Sequence, residues 1–104
     1  MYTQRITIPQ NTPERSPVSQ TIQPTIPVIK RVLIRFPDGC AGLVGVKLTD
    51  RGSQFAPVYG CLEGNGVEVP LEVNRRLDGP PREVVIFAYN EDDTYPHTIE
   101  VRLM

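Results

Sequence analysis

Apolar and polar residues alternate along several segments of this chain, a pattern typical of β-strands with one buried face. The alternation covers Val28–Phe36, Leu43–Thr49, Val67–Val73 and Thr98–Leu103. A fifth segment, Val84–Asn90, is apolar over most of its length, which predicts a central strand covered on both faces. Turns that contain glycine or proline separate the segments and indicate tight reversals between antiparallel strands.

Two strands carry a proline that restricts where they lie in a sheet. Gln54–Tyr59 is a weaker strand interrupted by Pro57, and Pro70 lies inside the alternating segment Val67–Val73. Because proline has no amide hydrogen to donate, we expect the first strand at a sheet edge and the second at an edge or a bulge. About six strands at this spacing predict an all-β fold, a small antiparallel β-sandwich over residues 28–104.

The alternation also predicts which side chains face the core, because residues of one parity within a strand share a face. The positions expected to be largely buried are Val32, Ile34, Phe36, Val44, Val46, Leu48, Val67, Val69, Leu71, Val73, Ile86, Ile99 and Val101.

Composition supports sheet over helix. Val, Ile and Thr are abundant and Ala is rare, a bias that suits pleated surfaces. Glycines and prolines are spread so evenly that residues 82–95 form the longest run without either, and every other such run is much shorter. We therefore expect essentially no helix beyond a single turn.

Residues 1–27 differ in composition from the rest of the chain. They contain five of the eleven prolines and only three charged side chains. Proline favours extended conformations and cannot donate a hydrogen bond, so we expect a Pro-rich extended N-terminal arm outside the sandwich domain of residues 28–104. Its β-branched residues favour docking on a partner over the alternative of a disordered tail. The expected partner-binding anchors are Ile6, Ile8, Ile22 and Ile26.

Charge and hydropathy argue against two classes of partner. The chain has eleven Lys or Arg and twelve Asp or Glu, a net charge of −1, with no basic cluster. Nucleic acid is therefore not an expected partner, because binding to a phosphate backbone depends on clustered positive charge. No apolar segment approaches the roughly 20 residues that span a bilayer, and the first residues do not resemble a secretory signal. We expect no membrane partner and synthesis in the cytoplasm.

The residues that most often carry catalysis or bind metals are few. His97 is the one histidine and lies at the start of the last strand, where we expect a structural role at the edge of the core. Cys40 and Cys61 each stand beside a glycine in a predicted loop. One histidine and two separated cysteines do not make a four-ligand zinc site, so no metal is expected. We expect two free thiols, with a loop-to-loop disulfide as the alternative.

Carboxylates offer two further possibilities. The acidic turn Asn90–Asp93 clusters oxygen atoms of the kind that calcium binds, although a solvated turn is the simpler interpretation. Other glutamates are scattered on outward positions, and a small sandwich hardly builds the cleft that paired catalytic carboxylates need. These glutamates are Glu63, Glu68, Glu72 and Glu83. We expect no catalytic residues, no cofactor and no enzyme activity.

Basic side chains form one stripe and flank one loop. Lys30, Arg31 and Arg35 lie on the predicted outer face of the first sandwich strand. Arg75–Arg76 and Arg82 flank a polar connection that we place at residues 74–81. An acidic partner could read such a stripe, whereas the alternative is a solvated surface.

Two longer motifs support a resemblance to a known group of proteins. The segments RFPDGCAGLV at residues 35–44 and YNEDDTYPHTI at residues 89–99, with LDGPP at residues 77–81, resemble small proteins encoded among the structural genes of tailed bacteriophages. The similarity spans residues 29–104. It implies a virion component, such as a head decoration or tail-associated protein, made in the host cytoplasm. Its implied partners are capsid or tail proteins and copies of itself.

The main alternative is a free ligand- or cell-surface-binding module. Such a module needs exposed aromatic platforms, and a chain with no Trp, three Phe and four Tyr has little material to build one.

Overall fold

The computed structural model describes residues 2–40, 42–77 and 82–104, and these form nine strands and no helix. The strands are β1 (Tyr2–Ile8), β2 (Val18–Ile22), β3 (Val28–Phe36), β4 (Val44–Asp50), β5 (Ser53–Ala56), β6 (Leu62–Glu63), β7 (Val67–Arg76), β8 (Val84–Asn90) and β9 (His97–Leu103). Within these ranges there is accordingly no helix long and apolar enough to cross a membrane.

Two antiparallel sheets pack face to face, which confirms the predicted all-β sandwich. One sheet has the order β1-β9-β3-β7, and the other has the order β2-β8-β4-β5 with the short β6 also paired to β4. Strand β8 lies between β2 and β4, as expected for the central strand. Strands β5 and β7 lie at sheet edges, in agreement with Pro57 and Pro70, although β5 ends at Ala56, before its proline.

The predicted arm is wrong, because the segment 1–27 supplies two strands of the sandwich. Strand β1 pairs with β9 along its whole length, from Tyr2 opposite Leu103 to Ile8 opposite His97. Strand β2 pairs with β8. Both strands alternate more buried and exposed positions, and their more buried positions are apolar except for Gln4 and Gln20. The sandwich therefore includes the segment that composition had set apart as a separate arm.

The prolines of this segment end strands rather than prevent them. Pro9 directly follows β1, Pro17 directly precedes β2, and Pro24 and Pro27 lie in the connection to β3. A proline outside the ladder removes none of its hydrogen bonds. The sequence prediction counted the prolines over the whole segment. Because the prolines lie between short alternating runs and not inside them, β1 and β2 can form.

Most of the predicted core is confirmed, and the exceptions all lie on β7. Nine of the thirteen predicted positions are buried, whereas Val69, Leu71 and Val73 are half-buried and Val67 is 43% exposed. These four side chains have the inward parity, because Val32, Ile34 and Phe36 are their buried partners or neighbours on β3. The facing sheet ends in the short strands β5 and β6, so it does not cover the length of β7.

Two connections differ from the sequence prediction. The loop predicted around Cys61 contains β6, which pairs with Gly45 and Val46 of β4. Strand β7 continues to Arg76, and the buried Leu77 follows it with its amide donating to Pro27 O at 2.8 Å. The rest of the predicted polar connection, residues 78–81, lies outside the described residues.

Candidate functional site

The four isoleucines expected to bind a partner do not form a surface. Ile6, Ile8 and Ile22 are buried in the core between the chain's own sheets, and Ile26 is half-buried and packs against that core. Their apolar side chains therefore stabilise this fold, and Ile6, Ile8 and Ile22 leave no exposed area for another protein. A contact surface has to be sought elsewhere on the molecule.

His97 has the structural role that its position predicted. It is buried at the start of β9, and its Nε2 lies 2.9 Å from Asp92 Oδ2. The Thr94 amide, which donates to Asp92 Oδ1 at 2.8 Å, and the His97 contact together hold the pKa of Asp92 below its usual range. The contact between His97 and Asp92 holds the turn between β8 and β9 against the end of the core.

The acidic turn uses its oxygens for internal hydrogen bonds. Asn90 is fully buried, and its Nδ2 donates to Ile8 O at 3.1 Å and to Tyr95 O at 3.0 Å. Its Oδ1 accepts the Asp92 amide at 3.0 Å. Both carboxylate oxygens of Asp92 are likewise engaged, with Thr94 and His97. Across the described ranges, no three potential metal ligands come together.

Both cysteines are free thiols, as predicted. Cys40 is buried, and burial raises the pKa of its thiol, with a further contribution from the Asp92 carboxylate. Cys61 is half-buried, and burial together with the nearby Glu14 raises its pKa as well. Because the thiolate is the reactive form, both side chains are weak nucleophiles at neutral pH.

Two of the three basic side chains of the β3 stripe, Arg31 and Arg35, lie opposite acidic side chains. Arg31 contacts Glu72 at 2.6 Å across the β3–β7 pair. Arg35 lies opposite Glu68 on β7 and opposite Glu100 on β9. Positive and negative side chains thus alternate across this sheet, which favours a solvated surface over a site for an acidic partner.

The outward aromatic residues of β8 are covered. The ring of Tyr89 lies directly over Gly45 on β4 and leaves no room for a side chain there. Burial and the adjacent Glu63 raise the pKa of Tyr89. Phe87 has the ammonium of Lys47 above its ring, 5.5 Å from the centroid. This face does not present an open aromatic platform.

A turn between β5 and β6 carries the most exposed large apolar side chains of the described residues. Val58 is 80% exposed and Tyr59 is 87% exposed. Gln54 braces the turn, because its Nε2 donates to Pro57 O at 2.8 Å and to Gly60 O at 2.7 Å. The two apolar side chains are therefore presented on a fixed backbone.

A groove of about 520 Å³ lies beside this turn, between β5 and β7. Phe55, Leu71 and Val73 contribute its apolar lining. Arg75 bridges the two sheets there, with its Nε 3.0 Å from Asp50 Oδ2 and its guanidinium over the Phe55 ring at 5.7 Å. On this side of the sandwich the inward residues of β7 are only half-buried or exposed. We therefore call the turn of residues 57–60 together with this groove the open-side patch.

The sequence prediction missed this patch. It assigned Val58 and Tyr59 to a strand, because both are residues that strands favour. The available signal was their position between Pro57 and Gly60, since apolar residues enclosed by two turn-forming residues point to an exposed turn.

Comparisons with known proteins give little further information. No model of a known protein family matches the chain, and no curated protein matches it. Among solved structures, the crystal structure of FLHE is similar over 97% of this chain and 90% of that chain, with 16% sequence identity and a TM-score of 0.43. A similarity at this level carries no argument about function.

Proposed function

We propose that this chain is a non-enzymatic structural component of a bacteriophage virion, either a head decoration or a tail-associated protein. The resemblance of its turn motifs to small phage structural proteins suggests the setting. The observation that carries the proposal is the open-side patch, where Val58 and Tyr59 are almost fully exposed on a braced turn. Exposed apolar patches on a small soluble domain typically mark contact surfaces.

We propose that the chain attaches to neighbouring virion proteins through the surface of the sandwich itself. Residues 2–27 include two strands of the sandwich, so an arm reaching to a neighbour is not part of the proposal. A preformed surface loses less conformational entropy on binding than a flexible arm does, which favours assembly. Capsid or tail proteins and copies of this chain remain the proposed partners.

The state of the chemically reactive side chains supports a role without catalysis. Cys40 and Cys61 are protonated at neutral pH, because their pKa values are raised. His97 is buried and bonded to Asp92, and the Asn90 side chain is fully used inside the fold. These groups hold loops in place, and none of them lines the open-side patch.

The direct test is the protein content of purified particles from the virus that encodes the chain. Mass spectrometry of washed particles should find the chain in an amount comparable to known structural proteins. Particles that lack it, from lysates in which it is abundant, would contradict the proposal.

A free ligand- or cell-surface-binding module is the second candidate. The exposure of Tyr59, and of Tyr95 at 64%, favours it, because such modules bind through exposed aromatic rings. The two candidates differ in where the chain is found. Binding of the purified chain to cells or glycans, lost in Tyr59→Ser or Tyr95→Ser, together with its absence from particles, would support the second candidate.

A further inference from the structure

We propose that two copies of this chain associate through the open-side patch, each placing Val58 and Tyr59 in the groove of the other. This inference rests on the proposed function and deepens it, because it names a surface and a partner. The protruding turn and the groove are adjacent on one chain, and Val58 borders both. A two-fold axis that relates two copies places the turn of each copy at the groove of the other. The result is a closed, isologous contact.

The shape of the patch suits such a contact. Gln54 fixes the turn through two hydrogen bonds, so little conformational freedom is lost when Tyr59 is buried. Tyrosine is also among the residues that most often dominate binding energy at interfaces. The groove supplies the recess, because the inward side chains Leu71 and Val73 are only half-buried by their own sandwich.

The charges of the patch fit a second copy better than a strongly charged partner. Glu72 is paired with Arg31, and Arg75 is paired with Asp50, so the charged groups at the groove are balanced within each chain. The chain as a whole has a net charge of −1, which gives weak repulsion between copies. Two such patches meet without bringing unpaired like charges together.

Side chains rather than the free edge of β7 carry the proposed contact. Pro70 removes one amide donor from that edge. If two β7 strands paired around Pro70, Glu68 of one copy would lie opposite Glu72 of the other, and like charges at opposed positions destabilise a strand pair. The edge is thus protected against continuous sheet formation, while Val58 and Tyr59 beside it remain exposed.

Sedimentation velocity of the purified full chain tests the proposal. Because the patch is built from few residues, we expect a monomer at about 1 µM and a dimer at concentrations approaching about 1 mM. Tyr59→Ser should weaken the dimer at least about tenfold, a typical loss for a buried interface tyrosine. Tyr95→Ser removes an exposed tyrosine outside the patch and should leave the dissociation constant unchanged.

Two results would overturn the inference. One is a monomer at every concentration, and the other is a dimer that Tyr59→Ser and Tyr95→Ser affect equally. Val58→Asp is the second variant, and it should weaken the dimer without altering thermal unfolding of the monomer. The inference and the proposed function fail separately. A monomer that is incorporated in particles removes only the pairing, and a dimer absent from particles removes only the virion role.

Discussion

The two sides of the sandwich that are bounded by edge strands differ in how completely they cover the core. On the closed side, β1 and β2 bury Ile6, Ile8 and Ile22, and their other inward positions are half-buried. On the open side, β5 and β7 leave the inward residues of β7 half-buried or exposed. On that side, residues 9–17 connect β1 of one sheet to β2 of the other.

This difference shows that the face on which a side chain lies and the burial of that side chain are separate properties. Alternation alone does not distinguish them. Period-two alternation shows which face of the sheet a side chain lies on, and it does so correctly for Val32 and for Val67. Burial depends in addition on what lies opposite that face. The closed side is accordingly a structural part of the molecule, and the open side is the part available for contacts.

Removal of residues 1–27 should break the closed side completely and give the largest effect. The truncated chain loses β1 and β2, and with them three buried isoleucines that each contribute roughly 1.5–3 kcal/mol. A small domain has only about 5–15 kcal/mol of stability in total. We expect no cooperative thermal unfolding transition by circular dichroism. A truncated chain that unfolds cooperatively would show that the segment is dispensable for the fold.

Alanine substitutions at one inward position on each side should give the next largest effect on the free energy of unfolding. Ile8→Ala creates a cavity at a fully buried position and should lower the free energy of unfolding by about 2–5 kcal/mol. Val67→Ala, at an inward position that is partly exposed, should lower it by less than about 1 kcal/mol. Urea denaturation measures both. Equal losses at the two positions would contradict the proposed difference in cover.

Two side-chain amides allow a comparison of hydrogen bonding on the two sides. Asn90 and Gln54 each donate twice to backbone carbonyls, Asn90 in the buried end of the closed side and Gln54 in the exposed turn. Asn90→Ala should cost about 1–3 kcal/mol, because it leaves a buried carbonyl unsatisfied. Gln54→Ala should cost about 1 kcal/mol or less, because water can reach the freed carbonyls. The reverse order in urea denaturation would be incompatible with this account.

The Asp92 contacts predict a smaller, pH-dependent effect. The pKa of Asp92 is lowered in the folded chain by the Thr94 amide and by His97, so the ionised form stabilises the fold. That contribution is complete above the unfolded pKa of about 3.9 and is lost as the pH falls through the folded pKa. Asp92→Asn should therefore be less stable than the natural chain at pH 7, with the difference closing in acid. A difference that stays constant between pH 7 and pH 2 would exclude this role.

Much of the fold could be predicted from local patterns. The interior strand Val84–Asn90 was predicted with its observed bounds, and Pro57 and Pro70 correctly indicated edge strands. These predictions held because period and proline chemistry act over a few residues. The N-terminal strands failed for the opposite reason, since a count over the whole segment 1–27 hid two short alternating runs that prolines separate.

The groove of the open-side patch could not be predicted because it depends on distant parts of the chain. The groove forms where β5 and β7 lie side by side, although residue 55 and residue 73 are in different sheets. The turn that carries Val58 and Tyr59 is held by hydrogen bonds from the Gln54 side chain to its backbone carbonyls. Neither relation is encoded in the order of apolar and polar residues.

Hydrogen exchange of the full chain, measured at low and high protein concentration, tests the difference between the two sides most directly. The amides through which β1 pairs with β9 should be protected at both concentrations, because the closed side belongs to the fold of each copy. The amides of residues 58–60 should gain protection only at high concentration, where a second copy covers the patch. Rapid exchange along β1, or protection of the turn that does not change with concentration, would contradict the account.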